Sequence, residues 1–195
     1  MKSDIILAGV GGQGILSIAA VLGMAAGKRN LFIKQSEVHG MSQRGGAVHA
    51  HVRISDKEIA SDLIPLGKAD MILSVEPMEA LRYLPYLSEE GWLVTNQKPY
   101  KNIPDYPDMA EIKKSIHSIP NHILIEADTL ASEIKSPRSS NMVVLGAAIP
   151  FLAFQWEDYE YGLRTLFGRK GEEVVAKNME ALRKGEAFSK AYVPE

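Results

Sequence analysis

Two runs in the first quarter of the chain carry the residue types and spacing that could do chemistry. The first, Gly9-Val10-Gly11-Gly12-Gln13-Gly14, follows the apolar Ile5-Ile6-Leu7-Ala8 and precedes an apolar helical pattern. Gly9, Gly11 and Gly14 have the G-x-G-x-x-G spacing, with Gly12 and Gln13 between them. Such a turn lets backbone approach a phosphate closely, while the next helix offers free N–H groups and its positive dipole end. The same glycines could serve only to pack a helix tightly on a sheet. A dinucleotide reading also requires an acidic residue at the end of the second strand. Glu37 lies 23 residues past Gly14, close to the usual spacing, at what reads as a loop entry.

The second run is Ser36-Glu37-Val38-His39-Gly40-Met41-Ser42-Gln43-Arg44-Gly45-Gly46. Arg44 could fork onto a phosphate or carboxylate, and Ser42 and Gln43 are neutral donors and acceptors. Gly40 and Gly45-Gly46 would let another surface come close. A solvated loop is the plain alternative, but polar loops of this length in compact domains are often functional. The candidate binding residues are therefore Gly9, Gly11, Gly12, Gln13, Gly14, Glu37, Ser42, Gln43, Arg44 and Gly45, and the expectation is a ligand or subunit contact. No residue is assigned as catalytic. His49 and His51 stand at i, i+2 in a strand pattern, which reads as the solvent side of a half-buried strand rather than a metal site. Asn141 has the type and place of a helix cap.

Composition narrows the chemistry further. The absence of cysteine removes disulfides, thiolate zinc sites, iron–sulfur ligation and a cysteine nucleophile together. A net charge of −2, with no basic run longer than two residues, argues against a nucleic-acid surface. No stretch approaches the ~20 apolar residues of a membrane span. Met1-Lys2-Ser3-Asp4 is followed by only four apolar residues before glycine, so no signal peptide is expected and a cytoplasmic location is.

The elements that must position the two runs read as an α/β fold. It is Rossmann-like, with a mainly parallel sheet flanked by helices and an inserted antiparallel hairpin, in one domain over residues 1–195. Ile5–Ala8 predicts a strand buried on both faces, and residues 15–26 a helix with Gly27 as its stop. Leu31–Ile33 predicts a second strand and Gln35–Gly46 a surface loop. Ala47–Ile54 alternates, and Ser55-Asp56-Lys57 reads as a turn into a partner strand at Glu58–Ala60. Strands follow at 71–75, 91–95 and 122–126, with helices at 77–84, 109–118 and 128–134. Pro99, Pro104 and Pro107 mark a loop. Residues 141–154 form the most apolar helix, and helices at 158–167 and 172–183 close the chain.

With both runs in place, the chain resembles the gamma-type domain family of 2-oxoacid:ferredoxin oxidoreductases, and within it the indolepyruvate branch. Besides the glycine turn, the resemblance rests on Ser36-Glu37 with Gly40–Gly46, His51-Val52-Arg53, residues 76–84, 141–147 and 178–185, so it spans nearly the whole chain. It implies a small subunit supporting oxidative decarboxylation of a 2-oxoacid, an arylpyruvate, to an acyl-CoA. Thiamine diphosphate and iron–sulfur clusters are then expected on a large partner subunit, with ferredoxin reached through the complex and no nucleic acid or membrane. Coenzyme A is a candidate ligand of the glycine turn. The competing readings are a stand-alone NAD(P)-binding oxidoreductase and a non-catalytic nucleotide-binding assembly module.

Overall fold

Residues 3 to 10 are all buried, and that run sets the centre of the molecule. In the computed structural model, which describes residues 1–40, 45–101 and 103–192, Lys2–Val10 is strand β1. Helix α1 (Ile15–Lys28) follows, then β2 (Phe32–His39), β3 (Ala47–Ser55) and β4 (Ala69–Ser74). Next come α2 (Pro77–Arg82), β5 (Leu87–Asn96), α3 (Met109–His117), β6 (His122–Ile125) and α4 (Ala127–Glu133). Helices α5 (Ser140–Ala148), α6 (Trp156–Phe167) and α7 (Glu172–Ala191) complete the order.

The sheet runs β2-β3-β1-β4-β5-β6. Strands β1, β4, β5 and β6 pair in parallel, whereas β3 is antiparallel to both β1 and β2. One strand therefore runs against five, and the mainly parallel expectation holds. Ile5 and Leu7 point into a core beneath α1 and α4 to α7, while Ile6 and Ala8 meet the core beneath α2 and α3. Covering on both faces is why this strand reads as an unbroken apolar run.

Two expectations need correction. The antiparallel hairpin is β2–β3, not β3 with Glu58–Ala60. Both edges of β3 are already occupied, by β1 and β2, so no edge remains for a third partner. The chain after β3 is instead pinned by β3 side chains. Arg53 donates to the carbonyls of Ser61 and Leu63, and the Ile64 N–H donates to His51 Nδ1 at 3.0 Å.

The second correction is that Gln35–His39 belongs to β2 rather than to a loop. Strand β2 is an edge strand, mostly exposed on both faces, so it needs no apolar alternation to be stable there.

The α5–α7 contact is the closest helix approach that bears on the site. A β-carbon on Gly146 would lie 2.2 Å from the Leu182 carbonyl oxygen, and one on Gly185 would lie 2.0 Å from that of Val143. Only hydrogen at these positions lets the two backbones touch. Helix α1 runs through Gly27 to Lys28, and Pro150 falls in a 3-10 turn just after α5. Among the described residues, no helix is long and apolar enough to cross a membrane.

Candidate functional site

The glycine turn sits at the carboxyl end of β1, between β3 and β4 in the sheet. Gly9 packs so closely that a β-carbon there would come within 2.4 Å of Val75 and 2.8 Å of Ile15. Gly12 (φ 97°) and Gly14 (φ 81°) are left-handed, and Gly14 is the N-cap of α1 without a side-chain cap. Asn141 at the start of α5 donates to the Gly14 carbonyl at 3.0 Å, so α5 holds the turn from one side. Gln13 folds back, its Oε1 accepting from the Val10 N–H at 2.7 Å. Two backbone donors of the turn are engaged within the fold, Gly11 N–H by Gly46 O at 2.9 Å and Gln13 N–H by Val10 O at 3.1 Å.

Three hollows surround this turn. The largest, about 460 Å³, lies between Gly12–Ser17, the segment 135–141, the end of α6 and the first turns of α7. Four cationic side chains line it, Lys135, Arg138, Lys170 and Lys177, against one carboxylate, Glu173. Asn141 and Asn178, both mostly buried, add amide groups to its floor. A second hollow of about 320 Å³ is apolar, formed by Val10, Ile15, Leu16 and Val48 with His39 at its rim. The third, about 160 Å³, lies over the carboxyl ends of β4 and β5, where Asn96 and Lys98 both bond Asp128, at 2.9 and 3.1 Å.

The structure brings Gly9, Gly11, Gly12, Gln13 and Gly14 together, with Gly46 bonded to the turn. Gly45 is left-handed (φ 79°), at the mouth of the β2–β3 connection. Ser42, Gln43 and Arg44 lie outside the described residues.

Glu37 stands elsewhere. It is level with Ala50 of β3, which is level with Leu7 of β1, so a whole strand intervenes between it and β1. Two strand spacings amount to about 10 Å. Its carboxylate bonds the Gln35 amide and His39 Nε2 (the latter at 3.1 Å), on the same strand. His39, by contrast, is level with Val48 and through it with Gly9, which puts its ring at the turn.

Sequence reasoning missed the cationic cavity. Its hint was the basic and serine-rich stretch Lys135-Ser136-Pro137-Arg138-Ser139-Ser140 ahead of the apolar helix. The histidine pair was misread too. His51 is 4% exposed, because the 56–68 segment and Tyr86 cover it, and His49 Nδ1 bonds the Tyr83 hydroxyl at 2.8 Å. Burial pushes both imidazoles below their ordinary values, with His51 adding repulsion at His49, and it pushes Tyr83 up to about 12. Among the described residues no group of three His, Asp or Glu is placed to hold a metal.

The family model described as pyruvate ferredoxin/flavodoxin oxidoreductase matches residues 4–188. The chain is 42% identical to the indolepyruvate oxidoreductase subunit IorB of Pyrococcus horikoshii, over 74% of this chain and 75% of that one. To the subunit of the same name from Archaeoglobus fulgidus it is 34% identical, over 95% of this chain and 94% of the other.

Among solved structures, it superposes on 2-oxoglutarate:ferredoxin oxidoreductase from Magnetococcus marinus, determined with 2-oxoglutarate, coenzyme A and succinyl-CoA bound. The TM-score is 0.78 and the identity 26%, over the whole of this chain but only 32% of that one. Pyruvate oxidoreductase subunit PORC of Thermotoga maritima shares the fold, with a TM-score of 0.73 at 22% identity over 96% of both chains.

Proposed function

Because this chain belongs to the pyruvate ferredoxin/flavodoxin oxidoreductase family, we propose that it is the small subunit of a 2-oxoacid:ferredoxin oxidoreductase acting on indolepyruvate or a related arylpyruvate. In this reading residues 1–195 work as one gamma-type domain in the cytoplasm. The observation that carries it is the identity of 42% and 34% to two subunits named for indolepyruvate, the second over nearly the full length of both chains.

The chain's own chemistry fits a supporting role. With no cysteine it offers no thiolate for an iron–sulfur cluster, so electron transfer to ferredoxin runs through a large partner subunit. Thiamine diphosphate, which supplies the carbanion chemistry of decarboxylation, is assigned to the same partner. What this chain supplies is a surface for coenzyme A: the turn Gly9-Gly11-Gly12-Gln13-Gly14 at the start of α1 and Gly45, with Ser42, Gln43 and Arg44 as further candidate contacts. Left-handed Gly12 and Gly14 allow close backbone approach, and the cavity next to them is of cofactor-binding size. Glu37 faces the partner subunit in this arrangement, since it is remote from the turn.

The test is reconstitution. Purified alone, the chain gives no 2-oxoacid oxidation and no NADH-linked turnover. Adding the large subunit, thiamine diphosphate, coenzyme A and a one-electron acceptor gives turnover. NAD(P)H-dependent activity from the isolated chain, or failure to associate with any such subunit from the native host, removes this reading.

A further inference from the structure

The sheet ends differently at its two edges. Strand β6 is buried over its whole length, and the Tyr192 hydroxyl at the end of α7 bonds His122 Nε2 at 3.0 Å. Strand β2, at the other end, has no pairing partner beyond it among the described residues. Its pairing with β3 carries no bulge, and residues 32–39 include no proline, so an unbroken edge faces outward.

Two backbone bonds show which groups lie on that edge. Continuing the β2–β3 register, the Gly40 N–H donates to the Ala47 carbonyl at 2.9 Å. Bonded pairs alternate along an antiparallel ladder, so Val38, Ser36, Lys34 and Phe32 direct their N–H and C=O groups to β3. On the far side of β3 the Asp56 N–H donates to the Met1 carbonyl at 3.1 Å, which requires the same alternation. The N–H and C=O groups of Ile33, Gln35, Glu37 and His39 therefore point away from the sheet.

The charged side chains that could guard this edge are engaged elsewhere. Lys34 donates to the Ala60 carbonyl at 3.0 Å, in the segment after β3, and Glu37 bonds Gln35 and His39 along its own strand. What the edge presents instead is apolar. Ile33 lies against α1, where a β-carbon on Gly23 would be 3.3 Å from it, so Phe32 and Val38 stand on the opposite face. Phe32 is 50% exposed and Val38 49%, and Leu63, whose carbonyl Arg53 holds beside Lys34, is exposed as well.

We propose that β2 is a self-association edge, at which a second copy of this chain pairs antiparallel about a two-fold axis at Gln35. An axis normal to the sheet keeps each face of β2 on one side, so only residues of like parity stand opposite one another. With Gln35 opposite Gln35 of the second copy, Ile33 meets Glu37, and all of these carry free backbone groups. Lys34 then lies opposite Ser36, and Phe32 opposite Val38, an apolar pair made twice by the symmetry. Neighbouring registers lose this match. Lys34 on the axis would oppose two ammonium groups, Glu37 on it two carboxylates, and Ser36 on it would leave Phe32 opposite Gly40. The pairing leaves the α1 face, with the Glu37 carboxylate on it, open to a different subunit, and it does not rest on the subunit reading above.

The experiment is sedimentation equilibrium of the full chain, alone and in the complex it forms, over a concentration series. Wild type should show a monomer–dimer equilibrium. Gln35→Pro removes an outward N–H that β3 does not use, and should weaken dimerisation by about tenfold or more with the circular dichroism of the fold intact. Phe32→Lys and Val38→Glu should each weaken it by about tenfold, and the double variant should recover much of the loss, because the two positions face each other. Tyr161→Lys, an equivalent change at an exposed residue of α6, should leave it unchanged.

A chain without cysteine also lets one introduced thiol report the register. Gln35→Cys should give a disulfide-linked dimer on mild oxidation, with α-carbons about 5.5 Å apart, while Ser36→Cys, offset from its mate, should not. A wild type that stays monomeric to its solubility limit overturns the proposal, as does a dimer indifferent to Gln35→Pro and Phe32→Lys, or one linked through Ser36→Cys instead. A Gln35→Cys link that forms in the isolated chain but is lost in the complex gives the edge to the large subunit and overturns it too. Failure of any large subunit to associate counts against the subunit reading alone.

Discussion

Gly185→Ala tests the helix contact on which the cavity wall depends. An alanine β-carbon at this position would sit 2.0 Å from the Val143 carbonyl oxygen and 2.6 Å from the Ala147 nitrogen. Ordinary contact begins at 3.4 Å, so α7 must retreat from α5 by more than an ångström. Both obstacles are backbone, and no change of rotamer relieves them. Overpacking of this kind costs typically 1–3 kcal/mol, and a double backbone clash belongs at about 3. Alanine in a helix interior returns about 1 kcal/mol over glycine, leaving a net loss of about 2 kcal/mol. For a chain of this size that lowers the melting temperature by about 4–8 °C.

Gly27→Ala is the matched control, since a β-carbon there meets nothing within 4 Å. It should raise the melting temperature by up to about 3 °C. Lys177 and Asn178 are on α7 and Asn141 on α5, so the retreat also widens the cavity between them. Thermal unfolding followed by circular dichroism reads the change in stability. A Gly185→Ala protein melting at or above wild type would refute the close-contact argument.

Asp4→Ala should cost about 3 kcal/mol in denaturant unfolding, because it removes the carboxylate that takes two bonds from Arg53, at 2.7 and 3.0 Å, and leaves that cation with only the Ser61 and Leu63 carbonyls. Burial pushes the Asp4 carboxyl up, but the bonds from Arg53 and Lys2 outweigh it and leave it below the ordinary range. Its contribution is therefore present above the unfolded value of about 3.9 and lost as pH falls through the folded value, and Asp4→Asn should flatten that part of the stability profile. The lowered imidazoles of His49 and His51 act at higher pH. Their neutral forms are favoured in the fold, so stability present above about pH 6.5 declines as pH falls below it, and His49→Gln/His51→Gln should remove that slope. Arg44→Ala in the assembled complex should weaken the coenzyme A or subunit contact by about tenfold to a hundredfold, with Arg44→Lys restoring only part and the melting temperature unchanged.

The parts of the fold legible in the sequence are those whose burial leaves a periodic trace. Ile5–Ala8 is covered on both faces and reads as a continuous apolar run, and residues 141–148 are buried all round and read the same way on a helix. The glycine turn was legible because its spacing is a backbone requirement, met by left-handed Gly12 and Gly14. Strand β2 left no such trace. It lies at the sheet edge with Lys34, Gln35 and Glu37 in solvent, and its pairing partner is decided eight or more residues later. The cationic cavity was illegible for a different reason. Its walls come from residues 12–17, 135–141, 167–170 and 173–178, and no local pattern announces that these segments meet.

The insertion of β3 between β1 and β2 explains how one glycine fingerprint can serve a ligand other than a dinucleotide. In the doubly wound arrangement the second strand lies beside the first, and its terminal carboxylate reaches the ribose of a dinucleotide held at the turn. Here β3 occupies that place. It moves Glu37 about two strand spacings away and sets His39 level with Gly9. Gly46, just ahead of β3, takes the Gly11 N–H of the turn. The turn thus keeps the open end of α1, while Glu37 stands too far from it to take a ribose hydroxyl. On the α5 side lie Lys135, Arg138, Lys170 and Lys177, and the positive potential of the turn continues into that cavity rather than along β2. Under the subunit reading proposed above, a coenzyme held at the turn would keep its other end free to extend toward a second subunit. That is the geometry a small subunit needs if it anchors a carrier molecule whose reactive end is used elsewhere.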